Sequence, residues 1–93
     1  MSEPTVRHDA AAQRYSCAAD GAEAVLDYEL AGDVVTFTHT FVPPALRGRG
    51  LAEALVRRGL EDARAAHRRV MPQCSYVARF IERHTEYLDL LAG

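Results

Sequence analysis

Ninety-three residues, 48% of them hydrophobic and 26% charged, are enough for one hydrophobic core and too few for two, because a chain this short buries only about 60% of its unfolded surface. The balance excludes the apolar-poor, highly charged composition of a disordered chain. A net charge of -2 conceals an asymmetry: residues 1–33 carry seven acids against two Arg, while residues 47–83 carry nine Arg against four acids.

An anionic ligand is therefore expected in the second half. Nucleic acid is not, since a net negative chain with few aromatics among its arginines lacks a stacking platform. The N-terminus shows no basic segment followed by an apolar run, no stretch approaches the roughly 20 apolar residues of a membrane span, and Cys17 and Cys74 are too few for a disulfide scaffold. The expectation is a cytoplasmic protein with no membrane partner. His8, His67 and His84 with the two cysteines show no metal-ligand spacing, so no metal is expected. Oligomeric state is not legible.

Residues 1–12, with Pro4, scattered charges and Ala10-Ala11-Ala12, hold no period and read as a flexible leader to a single domain over 13–93. From Gln13, Tyr15 and Cys17 alternate with polar neighbours, and Asp20-Gly21 turns the chain. Residues 22–30 then alternate around Val25 and Tyr28, and Ala31-Gly32-Asp33 turns it again. Residues 34–42, dense in β-branched and aromatic side chains, complete an antiparallel meander. Pro43-Pro44 stops the sheet.

Leu51, Leu55, Val56, Leu60 and Ala63 recur at helical spacing, with Glu53, Arg57, Arg58, Glu61, Asp62, Arg64 and Arg68 on the other faces, predicting a helix to about His67. Residues 69–74 fit a short strand, Ser75 an N-cap for a helix carrying Val77, Phe80 and Ile81, and 85–91 a last helical turn. Strand, helix and strand in succession make a right-handed parallel crossover, so 34–42 and 69–74 should be parallel neighbours. The fold class is α+β: an antiparallel meander plus one parallel strand in a mixed sheet, with two principal helices.

Between sheet and helix lies Arg47-Gly48-Arg49-Gly50-Leu51-Ala52. Gly48 and Gly50 let the backbone turn left-handed and approach a ligand, while the first helix amides point outward unpaired. A pyrophosphate there would accept several backbone hydrogen bonds at the positive end of the helix, with Arg47 and Arg49 adding charge-assisted contacts. The alternative is a turn with no ligand. Neither a Gly-x-x-x-x-Gly-Lys-Ser/Thr loop nor a Gly-x-Gly-x-x-Gly fingerprint occurs, and the chain has no lysine.

The segment resembles the acetyl-coenzyme A signature of the GNAT acetyltransferase superfamily, Gln/Arg-x-x-Gly-x-Gly/Ala, matched by Arg47, Gly50 and Ala52. With His39-Thr40-Phe41-Val42-Pro43 before it, and Met71-Pro72-Gln73-Cys74-Ser75-Tyr76 and Arg83-His84-Thr85-Glu86-Tyr87 after it, the order is similar to the short YjdJ-type branch over residues 13–91. The resemblance implies a GNAT-like fold without the usual N-terminal helical region, with acetyl-CoA wedged where the two parallel strands splay. It implies that main chain up to Val42 pairs with the pantetheine arm and that amides around Arg49, Gly50, Leu51 and Ala52 take the pyrophosphate. The implied activity is direct acetyl transfer to an amine whose identity is open, and the alternative is a CoA-binding module without turnover.

Transfer from a thioester to an amine needs alignment, a route for the amine's proton and an acid for the departing thiolate. His39, placed by alternation on the face of Phe37 and Phe41, is a candidate proton acceptor, or else a packed or surface histidine. Part of the family carries a glutamate after His-Thr, where this chain has Phe41. Cys74 either carries the acetyl group transiently or only lines the pocket, and neither Gln73 nor Ser75 favours its thiolate by charge. Tyr76, or failing it Tyr87, is the candidate acid for the sulfur. Arg57, Arg58, Arg64 and Arg68 either help hold the phosphorylated ribose or belong to a solvated helix with the i,i+4 pairs Glu53–Arg57, Arg57–Glu61 and Arg58–Asp62, and Glu82 and Glu86, the alternatives for the base, sit in regions better explained as solvated helix faces.

Overall fold

The computed structural model describes residues 4–92 and contains five strands: β1 (Arg7–Asp9), β2 (Arg14–Ala19), β3 (Ala22–Ala31), β4 (Val34–Phe41) and β5 (Arg69–Pro72). They form one sheet in chain order, antiparallel from β1 to β4 and parallel between β4 and β5. Helix α1 (Leu51–Ala65) makes the crossover and α2 (Ser75–Arg83) follows β5. Pro44–Leu46 and Thr85–Leu90 are 3-10 segments.

Period-2 alternation puts Tyr15, Cys17, Ala24, Leu26, Tyr28, Val35, Phe37 and Val70 on one face of the sheet, all buried. The helical stripe Leu51, Leu55, Val56, Leu60 and Ala63 covers that face, joined by Val77, Phe80 and Ile81 of α2. Among the described residues no helix covers the other face, where Phe41 and Met71 are each 44% exposed.

The expected leader needs correcting. Its first three residues lie outside the described residues, but Arg7–Asp9 pair with β2, His8 opposite Tyr15. His8 stacks on the Tyr15 ring at 4.2 Å and is hydrogen-bonded to the Tyr28 hydroxyl at 2.6 Å, so two aromatic rings hold a strand too short to show a period. Helix α1 also ends earlier than expected. His67 takes a left-handed φ of 57° and donates to Arg64 O, while Arg68 donates to Ala63 O, a helix-closing motif with His where glycine is usual.

A bulge in β4 redirects the strand toward the site. Phe37 pairs with Tyr28 and His39 with Asp27, leaving Thr38 as an extra residue. Its effect is to reverse the alternation. Phe37 stays on the helix-covered face, His39 and Phe41 emerge on the open one, and Thr40 turns inward. The expectation that His39 shares a face with Phe37 is therefore corrected, and its sharing with Phe41 stands, the two rings lying parallel with centroids 6.5 Å apart.

Candidate active site

Pairing between β4 and β5 stops at Phe37 and Pro72, and one further bond, Cys74 N–H to Phe37 O at 2.9 Å, closes the wedge. Beyond it β4 continues to Phe41 while the chain turns into α2, so the two parallel strands part. Cys74, not Ser75, occupies the N-cap position, in extended geometry and accepting from Ala78 N–H through its carbonyl. Ser75 is the first helical residue.

The Cys74 sulfur lies 3.3 Å from the Thr40 hydroxyl. Burial pushes the thiol up, but the Thr40 hydroxyl and then the amides of Val77 and Tyr76 outweigh it, holding Cys74 below the ordinary thiol value. The amides act from the helix start without closing a formed side-chain cap. The lowering comes from a hydroxyl and main-chain amides, with no charged neighbour among its causes; neither Gln73 nor Ser75 was expected to act by charge. Sequence reasoning missed Thr40 because only the bulge turns it to the sulfur.

At the other end of the splayed strand, Gly48 and Gly50 have φ of 82° and 75°, and a Cβ on either would meet no atom of the described residues within 4 Å beyond its chain neighbours. The first bond of α1 runs from Ala54 N–H to Gly50 O, leaving the amides of Leu51, Ala52 and Glu53 without helical partners. Val42, Arg47, Gly48, Gly50, Leu51 and Ala52 line a cavity of about 240 Å³ together with Tyr76. Of the binding residues expected from the sequence, Arg49 alone is absent, its guanidinium being held 2.6 Å from Asp20 in the β2–β3 turn. Arg47 donates to Val42 O at 3.1 Å, fastening the turn to the end of β4.

Tyr76 thus joins the phosphate turn to the neighbourhood of Cys74. Burial, then the Glu53 carboxylate, push its phenol up and Arg83 partly offsets them, so the hydroxyl keeps its proton at neutral pH. Tyr87 is elsewhere, its ring buried and its hydroxyl donating to Glu61 at 2.6 Å. His39 stands apart from Cys74 and Tyr76, on the open face. Three of the arginines considered for a ribose phosphate are engaged, Arg57 with Glu53, Arg58 with Asp62 and Arg64 with Asp89. A larger depression of about 510 Å³ flanks α1 beside Pro4 and Val6, but it holds none of the nucleophile or acid candidates.

Among the described residues no group of three His, Cys, Asp or Glu side chains could hold a metal ion, and no helix is long and apolar enough to cross a membrane.

A splayed parallel pair, a glycine turn opening the crossover helix and an open cradle of amides define an acyltransferase fold. Residues 14–90 match the family described as GCN5-related N-acetyl-transferase. The chain belongs to that family. It is similar to Protein NATD1 of Bos taurus, 33% identical over 91 residues that cover 92% of this chain and 80% of that one. NATD1 of Homo sapiens is 31% identical with the same coverage. The NMR solution structure of a GCN5-like protein from Staphylococcus aureus superposes with a TM-score of 0.77 at 23% identity, covering 100% of this chain and 92% of that one, which is a likeness of fold.

Proposed function

We propose that the protein is an acetyl-CoA-dependent N-acetyltransferase that transfers acetyl directly to an amine. The observation that carries this reading is the continuity of one cavity from the amide cradle at Gly50 to Tyr76, at the mouth of the splayed strands. The fit to coenzyme A is supported by the open approach to the backbone at Gly48 and Gly50, where a side chain would stand between a ligand and the turn. The amides of Leu51 and Ala52, with those around Arg49 and Gly50, hold the pyrophosphate, and β4 up to Val42 holds the pantetheine arm.

Acetyl-CoA supplies the activated thioester. The chain supplies alignment and proton handling. Tyr76, kept protonated, donates to the departing sulfur. His39 faces the side that no helix covers and takes the proton of an amine arriving there. Cys74 lines the pocket beside Thr40. The ordered motifs support the short YjdJ-type branch, and the site in this reading works in the cytoplasm.

A second reading, a CoA-binding module without turnover, is favoured by Phe41, which puts an exposed ring where part of the family has a carboxylate. Loss of thioester measured with a panel of amine acceptors separates the two. Transfer to at least one amine, abolished in Gly50→Trp, is expected. Tight acetyl-CoA binding with no transfer to any acceptor would establish the module.

A further inference from the structure

On the far side of Tyr76 from the cavity at the phosphate turn lies a second depression, over α2 and the Glu53 end of α1. Glu53 and Tyr76 wall both, and the second, about 190 Å³, is lined by Arg79, Phe80, Arg83 and His84. Arg79 and Arg83 are four residues apart on α2, so both project from one face of that helix.

Neither is in an ion pair among the described residues, whereas Arg14, Arg49, Arg57, Arg58 and Arg64 are each held within 3.2 Å of a carboxylate. The one carboxylate on the wall, Glu53, is engaged by Arg57. The His84 ring is fixed against Phe80, with centroids 4.0 Å apart and Nδ1 2.9 Å from Phe80 O.

The two depressions therefore offer two anion-receptive ends, backbone amides at Gly50 and a guanidinium pair on α2. At 1.5 Å per residue, Arg79 and Arg83 stand about 4.5 and about 10.5 Å along the helix axis from Tyr76, on the side away from the start of α2. Planar guanidinium forks suit a phosphomonoester. We propose that Arg79 and Arg83, with His84 at the rim, bind the 3′-phosphate of coenzyme A and select it over its 3′-dephospho form. The assignment rests on the coenzyme reading above.

Titration calorimetry with CoA and with 3′-dephospho-CoA tests it. The parent should bind CoA at least about tenfold more tightly, as expected when charge-assisted contacts are made to only one ligand. Replacing both arginines, Arg79→Ala with Arg83→Ala, should lower CoA affinity to the dephospho-CoA value and leave the latter unchanged, which also shows the variant folded with its turn intact. Arg58→Ala, whose guanidinium is turned to Asp62, should keep the full preference. Equal affinity of the parent for both ligands, or a preference surviving in the double variant, overturns the assignment. Failure of the parent to bind either ligand overturns the coenzyme reading and this one with it.

Discussion

Gly59 lies in the middle of α1, where replacing glycine by alanine ordinarily stabilises a helix by about 1 kcal/mol. Here the sign should reverse. A Cβ at Gly59 would stand 2.9 Å from Phe37 Cε1, 3.0 Å from Phe37 Cζ and 3.3 Å from Leu26 Cδ2. Phe37 is 1% exposed and Leu26 0%, so neither can swing clear without displacing the core. Overpacking of this kind costs about 1–3 kcal/mol, which leaves Gly59→Ala less stable by about 1 kcal/mol after the propensity gain. For a domain of this size that lowers the melting temperature by about 4–8 °C. Thermal unfolding followed by circular dichroism reads it directly, and Gly59→Leu should fall further. An alanine variant melting at or above the parent would show that α1 does not ride on Phe37 as described.

Thr40→Val removes the hydroxyl that favours the Cys74 thiolate, so alkylation of native Cys74 near neutral pH should slow and its pH profile move to higher pH; an unchanged profile would remove Thr40 from the site. Asp20→Asn should free Arg49 for the phosphate and tighten CoA binding by up to about fivefold, an exposed pair being worth about 0–1 kcal/mol. No tightening would mean that Arg49 stays on the solvent side when coenzyme binds. If Cys74 only lines the pocket, Cys74→Ser keeps substantial turnover and mass spectrometry finds no acetylated protein. A trapped Cys74 adduct that passes its acetyl group on at the turnover rate would make the enzyme ping-pong.

The meander and crossover were legible because Tyr15 to Cys17 and Leu51 to Ala63 carry clean periods of 2 and 3.6. Strand β1 was not, since three exposed residues show no period and their hold on the sheet comes from Tyr15 and Tyr28. The bulge at Thr38 was hidden more deeply. Phe37, His39 and Phe41 fall at even spacing and read as one unbroken face, though the extra residue puts Phe37 opposite to the other two. The contact between Thr40 and Cys74 depends on that reversal, 34 residues apart in sequence. Arginine roles were equally tertiary: Arg49 and Arg64 find Asp20 and Asp89 29 and 25 residues away. Local spacing pointed to Arg57, Arg58, Arg64 and Arg68, and only the fold sets Arg79 and Arg83 beyond the phosphate turn.

Calorimetric titration of acetyl-CoA into the parent and into Gly50→Trp tests whether coenzyme A is held at the turn opening α1. Apart from its chain neighbours, no atom of the described residues lies within 4 Å of a Cβ at Gly50, so a side chain there starts in open space and not in the core. Its left-handed φ of 75° costs about 1–2 kcal/mol, which leaves a folded variant to measure. The parent should bind saturably with one site and gain melting temperature by mass action, about 2.7 kcal/mol at a hundredfold excess over Kd. Gly50→Trp should unfold cooperatively yet show neither heat of binding nor a thermal shift. A folded Gly50→Trp that binds acetyl-CoA as tightly as the parent would contradict the account.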